Sequence, residues 1–135
     1  MVLLVEDDAM DVELFEKAWE YIGSKGEICI ANWGEKAIEM AKILPNLVIL
    51  DLNLPGLDGF EVLKELKNDP FTKWIPVVIL TSSPKEEDCK RCYELGANAY
   101  VVKPSSFKEL VELAKTIRDF WLFFNKIPKG VQFEY

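Results

Sequence analysis

Residues 47–59 are Leu47-Val-Ile-Leu-Asp-Leu-Asn-Leu-Pro-Gly-Leu-Asp-Gly59, in which four apolar residues lead into an aspartate and a loop of turn-forming residues. A short apolar run that ends in turn residues is typical of a strand buried inside a parallel sheet. Residues 2–5 form a second apolar run, and it ends in the acids Glu6, Asp7 and Asp8. Two such strands place several carboxylates at one edge of the sheet. Because like charges repel, the sequence predicts that a cation or a shared proton lies among them.

Strand-like and helix-like segments alternate along the whole chain. We predict strands at about 2–6, 27–31, 47–51, 76–81 and 98–103. Apolar residues at three- and four-residue spacing predict helices at about 9–22, 34–44, 59–67, 85–95 and 106–124. Five successive strand–helix units require a parallel sheet with right-handed crossovers and helices on both faces. The sequence therefore predicts an α/β domain whose ligands bind at the carboxyl ends of the strands.

The composition excludes several classes of protein. A chain of 135 residues has the size of one domain, and its net charge of −7 argues against nucleic-acid binding, which requires a basic face. The chain has no histidine, so Cys89 and Cys92 lack partners for a structural zinc site, and we expect them on the buried side of a helix. No apolar segment is long enough to span a membrane. We expect a cytoplasmic protein.

Polar side chains follow the ends of four predicted strands. Glu6 and Asp7 follow the first strand, Asp51 ends the third, Thr81 ends the fourth and Lys103 ends the fifth. Carboxylates without imidazole or thiolate neighbours suit a hard cation, and we expect Mg²⁺. An aspartate nucleophile, a metal ion, a charge-balancing lysine and a hydroxyl together indicate phosphoryl transfer onto a carboxylate.

Neighbouring polar residues have simpler explanations. Asp8 is expected to cap the first helix, and Asp58 is expected to serve the turn that it shares with a glycine. Ser82 and Ser83 either lend a hydroxyl to the site or cap the helix that follows them. The sequence does not decide between these two interpretations.

Four stretches of the sequence together resemble the receiver domain of two-component response regulators. They are residues 47–59, Leu3-Leu-Val-Glu-Asp-Asp8, Pro76-Val-Val-Ile-Leu-Thr81 and Gly96-Ala-Asn-Ala-Tyr-Val-Val-Lys-Pro104. The resemblance extends from end to end of the chain. It implies the flavodoxin-like (βα)5 receiver fold, with a five-stranded parallel sheet in the strand order 2-1-3-4-5.

The resemblance also implies roles in phosphorylation and switching. Asp51 is the expected phosphoacceptor, and Lys103 is the expected partner of the phosphoryl group. Thr81 is the expected switch hydroxyl, and Tyr100 is the expected switch aromatic. The bond between Lys103 and Pro104 is expected to be cis, which would fix the direction of the lysine.

A metal site follows from the same resemblance. Asp7 is expected to bind Mg²⁺ directly and Glu6 to bind it through water, together with Asp51 and the backbone carbonyl of Asn53. Gly59 is expected to allow a turn that a side chain would obstruct.

The resemblance implies a signalling protein that catalyses only its own phosphorylation and dephosphorylation. A sensor histidine kinase is the expected donor of the phosphoryl group, and the surface of the fourth helix, fifth strand and fifth helix is expected to change its protein partner. Two alternatives are weighed against this function. One is a receiver-like docking module that is never phosphorylated. The other is a phosphotransferase of the haloacid dehalogenase type, which wants an acid where this chain has Asn53.

The C-terminal part of the chain is unusually apolar. Residues 1–124 are predicted to form the receiver domain, and 125–135 a tail that packs on the domain or on a partner. One stripe is expected to pack on the sheet: Leu110, Ala114, Ile117, Trp121 and, at its end, Phe124. It leaves out Leu113, Phe120, Leu122 and Phe123.

Large apolar patches are rarely left in water, so we expect either the tail or a second protomer to cover these residues, and we favour a homodimer. This ending resembles single-domain receivers that partner phytochrome-type sensor kinases. No sequence remains for an output domain. Because Met1 falls almost at the first strand, the true start is expected to lie upstream.

Overall fold

The computed structural model describes residues 1–24 and 26–128. Its strands are β1 (Val2–Val5), β2 (Ile28–Ala31), β3 (Leu47–Leu50), β4 (Val77–Thr81) and β5 (Ala99–Val102). Its helices are α1 (Ala9–Tyr21), α2 (Gly34–Ala41), α3 (Gly59–Asn68), α4 (Glu86–Glu94) and α5 (Phe107–Ile117), and a π-helical segment follows at Arg118–Phe124. Strands and helices alternate as predicted. Among these described elements, no helix combines the length and apolar content that a membrane crossing requires.

All five strands are parallel, and their order β2-β1-β3-β4-β5 confirms the predicted topology. The register aligns the last residues of neighbouring strands. Val5 lies beside Ala31 of β2 and Leu50 of β3, and Thr81 lies beside Val102 of β5. The residues that follow these strands therefore lie side by side at one edge of the sheet, which we call the carboxyl edge.

Side chains of the sheet alternate between two cores. Leu3 and Val5 of β1 belong to the core beneath α2, α3 and α4. Val2 and Leu4 belong to the core beneath α1 and α5. Because β1, β3 and β4 are buried on both faces, their sequences are apolar runs without alternation, as expected for central parallel strands.

Aspartates cap two of the helices that leave the carboxyl edge. The carboxylate of Asp8 accepts hydrogen bonds from the backbone N–H groups of Met10 and Asp11, at 2.9 and 3.0 Å. The carboxylate of Asp58 accepts one from the backbone N–H of Glu61, at 3.0 Å. The cap at Asp8 confirms its prediction, whereas Asp58, which was expected to serve a turn, is a helix cap as well. Both satisfy N–H groups that have no partner inside the helix.

The cysteines form no disulfide bond. All three are free, and Cys92 is buried on α4 whereas Cys89 is only partly buried. The expectation that the pair lies on the inner side of a helix is therefore confirmed for Cys92.

The end of the last helix differs from its prediction. The sequence predicts one helix to Phe124, but α5 ends at Ile117 and the chain continues as the π-helical segment. There the backbone N–H of Asn125 donates to the carbonyl of Phe120, five residues back. The wider turn rotates the following side chains, so Phe124 is 79% exposed and does not join the packing stripe. Leu122 packs on the core instead.

The predicted tail, residues 125–135, falls mostly outside the described residues, and its packing stays a prediction. Its first residues Asn125 and Ile127 line a depression together with Met1, Trp121 and Leu122.

Lys67 stabilises the loop between α3 and β4 without an acidic partner. Its Nζ donates hydrogen bonds to the backbone carbonyls of Lys73 and Ile75, at 3.2 and 2.8 Å. Its stem runs past Gly96, where a Cβ would lie 3.1 Å from Lys67 Cγ. Burial lowers the pKa of Lys67 to about 8.

We expect Lys67→Met to change how stability depends on pH. Between pH 8 and about 10.4, the unfolded chain holds a proton on Lys67 that the native protein has released. The free energy of unfolding of the wild type should therefore rise with pH relative to the variant, by at most about 1.4 kcal/mol per pH unit. Urea unfolding at several pH values measures this difference. The exposed Lys64→Met on the same helix should run parallel to the wild type, and parallel curves for Lys67→Met would contradict the expectation.

Candidate functional site

The backbone hydrogen bonds of the sheet continue for one residue beyond the ends of β1, β3 and β5. They fix the backbone of the polar residues at the carboxyl edge. The N–H of Glu6 donates to the carbonyl of Ala31 at 3.0 Å, and the N–H of Asp51 donates to the carbonyl of Val5 at 3.0 Å. The N–H of Lys103 donates to the carbonyl of Thr81 at 2.8 Å. Ladder bonds of this kind hold the first atoms of each side chain in place, so the carboxylates and the lysine meet without help from flexible loops.

Three carboxylates converge at this edge. One oxygen each of Glu6, Asp7 and Asp51 lies within 4.8 Å of the other two. Glu6 and Asp51 are buried, with 4% and 5% of their surface exposed, while Asp7 is exposed. This set offers only hard oxygen donors and is open to solvent on the side of Asp7. It fits a hard divalent cation that keeps some of its water molecules.

Both carboxylate oxygens of Asp51 have partners. One accepts a hydrogen bond from the backbone N–H of Leu52 at 2.7 Å, and the other accepts one from Lys103 at 3.1 Å. These contacts hold the carboxylate in one orientation while it faces the other two acids. The carboxylate of Asp51 is therefore held in one orientation beside the candidate cation site.

Gly59 lies directly against the backbone of Asp51, as its predicted role requires. Its N–H donates to the carbonyl of Leu52 at 2.9 Å. A Cβ at Gly59 would lie on the carbonyl oxygen of Asp51 and 2.5 Å from the Cα of Leu52. Because both obstacles are backbone atoms, a side chain at this position would displace the residue that ends β3.

The ammonium group of Lys103 donates to three different carboxylates. Its Nζ lies 2.6 Å from Glu6, 2.7 Å from Asp11 and 3.1 Å from Asp51. Asp11, in the first turn of α1, is the member of this group that sequence reasoning missed. The available signal was its position, because the first turn of a helix that leaves β1 lies at the same edge as the residues that end the strand.

The charges at the edge shift the acid–base behaviour of two groups. Burial raises the pKa of Glu6 to about 7, the hydrogen bond from Lys103 opposes this shift, and the negative charge of Asp51 adds to it. Burial lowers the pKa of Lys103, but its hydrogen bonds to Asp11 and Glu6 and the charge of Asp51 outweigh this, so that the pKa lies above its ordinary value. Lys103 is therefore an ammonium ion at neutral pH, and it compensates acids that burial alone would tend to protonate.

Thr81 and Tyr100 are joined through one residue of the loop between β4 and α4. Thr81 is fully buried, and its hydroxyl accepts a long hydrogen bond of 3.4 Å from the backbone N–H of Ser83. The hydroxyl of Tyr100 donates to the carbonyl of the same Ser83 at 2.8 Å. A movement of this loop would therefore change the surroundings of both side chains.

The structure does not place Ser83 as the cap of α4, because the N-cap residue is Lys85 and the helix has no side-chain capping hydrogen bond. The hydroxyl of Ser83 donates to the carboxylate of Asp88 at 2.6 Å and accepts from the backbone N–H of Lys85 at 3.3 Å. The Ser83 hydroxyl therefore connects the loop after β4 to the first turn of α4.

The expected cis bond before Pro104 is wrong. The described residues contain no cis peptide bond, so the Lys103–Pro104 bond is trans. The trans form is favoured by about 0.5–1 kcal/mol before proline, and with it Lys103 already reaches all three of its partners. The direction of the lysine is set by its backbone bond to Thr81 and by the three carboxylates. Asn53 lies exposed in the loop after Asp51, and its role in metal binding stays a prediction.

Comparisons with known proteins agree with this geometry. A family model described as the response regulator receiver domain matches residues 2–115. The response regulator Rcp1 of Synechocystis sp. is 38% identical over 136 residues, which span 95% of this chain and 92% of Rcp1. The probable methanogenesis regulatory protein FilR2 of Methanothrix harundinacea is 36% identical over 135 residues, which span 95% of this chain and 87% of FilR2.

Solved structures match over the same extent. The Mn(2+)-bound form of Rcp1 has a TM-score of 0.84 at 38% identity and covers 95% of this chain and 98% of its own. The phosphorylated cyanobacterial phytochrome response regulator RcpA has a TM-score of 0.85 at 36% identity and covers 95% of this chain and 97% of its own.

We expect Asp7→Asn to weaken the binding of Mn²⁺ or Mg²⁺ by at least about tenfold, because it removes one charged ligand from a site of three. Calorimetric titration measures the affinity. Glu13→Gln is the matched control, because this substitution also removes one negative charge. Glu13 lies on α1, where it pairs with Lys17 in solvent. Equal losses in the two variants would mean that net charge, and not a built site, attracts the ion.

Proposed function

Because the chain belongs to the receiver domain family of response regulators, we propose that Asp51 is the residue through which it receives its signal. The chain accepts a phosphoryl group and takes part in signal transduction, as its relatives do. The donor we propose is the phosphohistidine of a sensor histidine kinase. The observation that carries the assignment is the buried carboxylate of Asp51, held by Leu52 and Lys103 beside two further acids.

We assign the metal ligands to Glu6, Asp7, Asp51 and the backbone carbonyl of Asn53, and we propose Mg²⁺ as the ion. The support is the cluster of three carboxylates with oxygen ligands alone, together with the Mn(2+)-bound form of Rcp1. When bound, the ion would neutralise charge on the phosphoryl oxygens and on the carboxylates.

The residues of the chain act mainly by position. An oxygen of Asp51 forms a bond to phosphorus while the bond from phosphorus to the donor histidine nitrogen breaks, and that imidazole leaves with its electron pair. Lys103 donates a hydrogen bond to a phosphoryl oxygen, and its positive charge offsets the charge that arrives. Since hydrogen bonds already orient Asp51, catalysis requires little beyond positioning and electrostatic stabilisation.

The switch that we propose begins at Thr81. A phosphoryl group on Asp51 is larger and more negative than a carboxylate, and it would accept a hydrogen bond from the Thr81 hydroxyl. The hydroxyl now has only one long bond, from the N–H of Ser83. Because Ser83 also holds Tyr100, a change at Thr81 alters the loop before α4 and the surface formed by α4, β5 and α5. That surface is the proposed binding site for a downstream protein.

The two alternative functions explain less of the site. A docking module that is never phosphorylated has no use for Asp51 and Glu6 held within ion-pair distance of Lys103. A phosphotransferase of the haloacid dehalogenase type needs a second acid at the position of Asn53.

We also propose that the protein is cytoplasmic, that it forms a homodimer and that its kinase partner is of the phytochrome type. Three phenylalanines of the π-helical segment support the dimer, because Phe120, Phe123 and Phe124 are 49%, 68% and 79% exposed and lie within five residues of one another. The kinase type is supported by the relationship to RcpA, a phytochrome response regulator.

We expect the wild-type protein to gain one phosphoryl mass when it is incubated with acetyl phosphate and Mg²⁺, and Asp51→Asn to gain none. Intact mass spectrometry measures both. The gain should disappear from the wild type when a chelator removes the metal. The assignment of Asp51 is wrong if both proteins gain the same mass.

We expect Phe123→Asp to shift the protein towards the monomer, because a charge replaces an exposed ring in the proposed interface. Size-exclusion chromatography with light scattering measures the mass, with and without acetyl phosphate. Ile43→Asp is the control, since Ile43 is 66% exposed just beyond the end of α2, on the other face of the sheet. A wild type that is monomeric in both states would contradict the dimer.

A further inference from the structure

We propose that Asp11 is a positioning residue that holds the ammonium of Lys103 in the unphosphorylated protein and gives it up when Asp51 carries a phosphoryl group. This inference rests on the proposed function of Asp51. It assigns a role to a residue outside the predicted phosphorylation and metal residues. Asp11 lies on a helix, whereas Glu6, Asp51 and Lys103 all directly follow strands.

An ammonium group has three N–H donors, and in Lys103 each has one carboxylate to serve. The two shorter contacts, 2.6 Å to Glu6 and 2.7 Å to Asp11, draw Nζ away from Asp51, which lies at 3.1 Å. A phosphoryl group on Asp51 brings further oxygen acceptors into the same space. The donor that now serves Asp51 can pass to one of these oxygens, but Lys103 has no spare donor for a second, so Glu6 or Asp11 must then lose its hydrogen bond.

Solvent exposure identifies the partner that is lost. The side chain of Glu6 is only 5% exposed, whereas the side chain of Asp11 is 38% exposed. Water can therefore replace the ammonium more easily at Asp11 than at Glu6.

The consequence is that Asp11 lowers the rate of phosphorylation. Before Lys103 can serve a second phosphoryl oxygen, it must break a charge-assisted hydrogen bond to Asp11. The half-exposed position of Asp11 limits the strength of this bond, because water screens it. The effect of Asp11 on the rate is therefore modest. It concerns the transfer step more than the binding of the phosphodonor.

We expect Asp11→Asn to be phosphorylated by acetyl phosphate about two- to fivefold faster than the wild type at saturating donor and Mg²⁺, the range that a partly screened ion pair gives. The donor concentration at half-maximal rate should change little. Asp11→Glu keeps the charge and should restore most of the slow rate. Glu13→Gln, which removes an exposed charge from the same helix, should leave the rate unchanged. An unchanged or slower rate in Asp11→Asn overturns the proposal.

A double-mutant cycle with Lys103→Met tests whether Asp11 acts through the lysine. In that background, Asp11→Asn should no longer raise the rate. A gain of equal size there would mean simple charge repulsion and would overturn the role assigned to Asp11. The same four proteins are also compared by urea unfolding in metal-free buffer. The free energies of unfolding should show a favourable coupling between Asp11 and Lys103. A coupling of zero also overturns the proposal.

These results separate this inference from the proposed function. If Asp51→Asn and the wild type take up the same phosphoryl mass, the proposed function fails, and the unfolding cycle still decides whether Asp11 holds Lys103. If the wild type is phosphorylated on Asp51 but the Asp11 variants behave like it, only this inference fails.

Discussion

A single ammonium group offsets the negative charge of the acids that crowd together at the carboxyl edge. Glu6 and Asp51 are almost completely buried, and without Lys103 they would be negative charges with no counter-charge in a medium that solvates them poorly. Breaking a buried ion pair by removing one partner costs about 3–5 kcal/mol, a large part of the stability of a small domain. The sheet makes this interaction possible, because its parallel register brings the ends of β1, β3 and β5 to the same edge.

The sequence predicted those features of the fold for which the local pattern of residues has one main physical explanation. Apolar runs such as Leu47–Leu50 that end in turn residues are typical of buried strands, and an acid directly after such a run lies at the end of the sheet. Asp8 precedes an apolar helical pattern, and it is a helix cap. Gly59 stands where a Cβ would meet backbone atoms. In these cases local chemistry and global topology agree, so the sequence is sufficient.

The parts that sequence missed depend on contacts between distant segments. Asp11 is one of several acids on α1, and only its distance to Lys103, 92 residues away, distinguishes it from a solvated charge. The change from α-helix to π-helix after Ile117 leaves Phe124 exposed, and an apolar sequence has no periodicity that could reveal such a change. Each of these features is decided by packing rather than by propensity.

The site is assembled from opposite ends of the chain, since Lys103 and Glu6 are 97 residues apart in sequence. During synthesis, the first strand leaves the ribosome long before the fifth, and its acids have no counter-charge until that strand is added as the edge of the sheet. A nascent or prematurely terminated chain that lacks β5 therefore carries the acids but not the lysine. The buried acids of such a fragment lack the ion pairs that Lys103 makes in the complete domain.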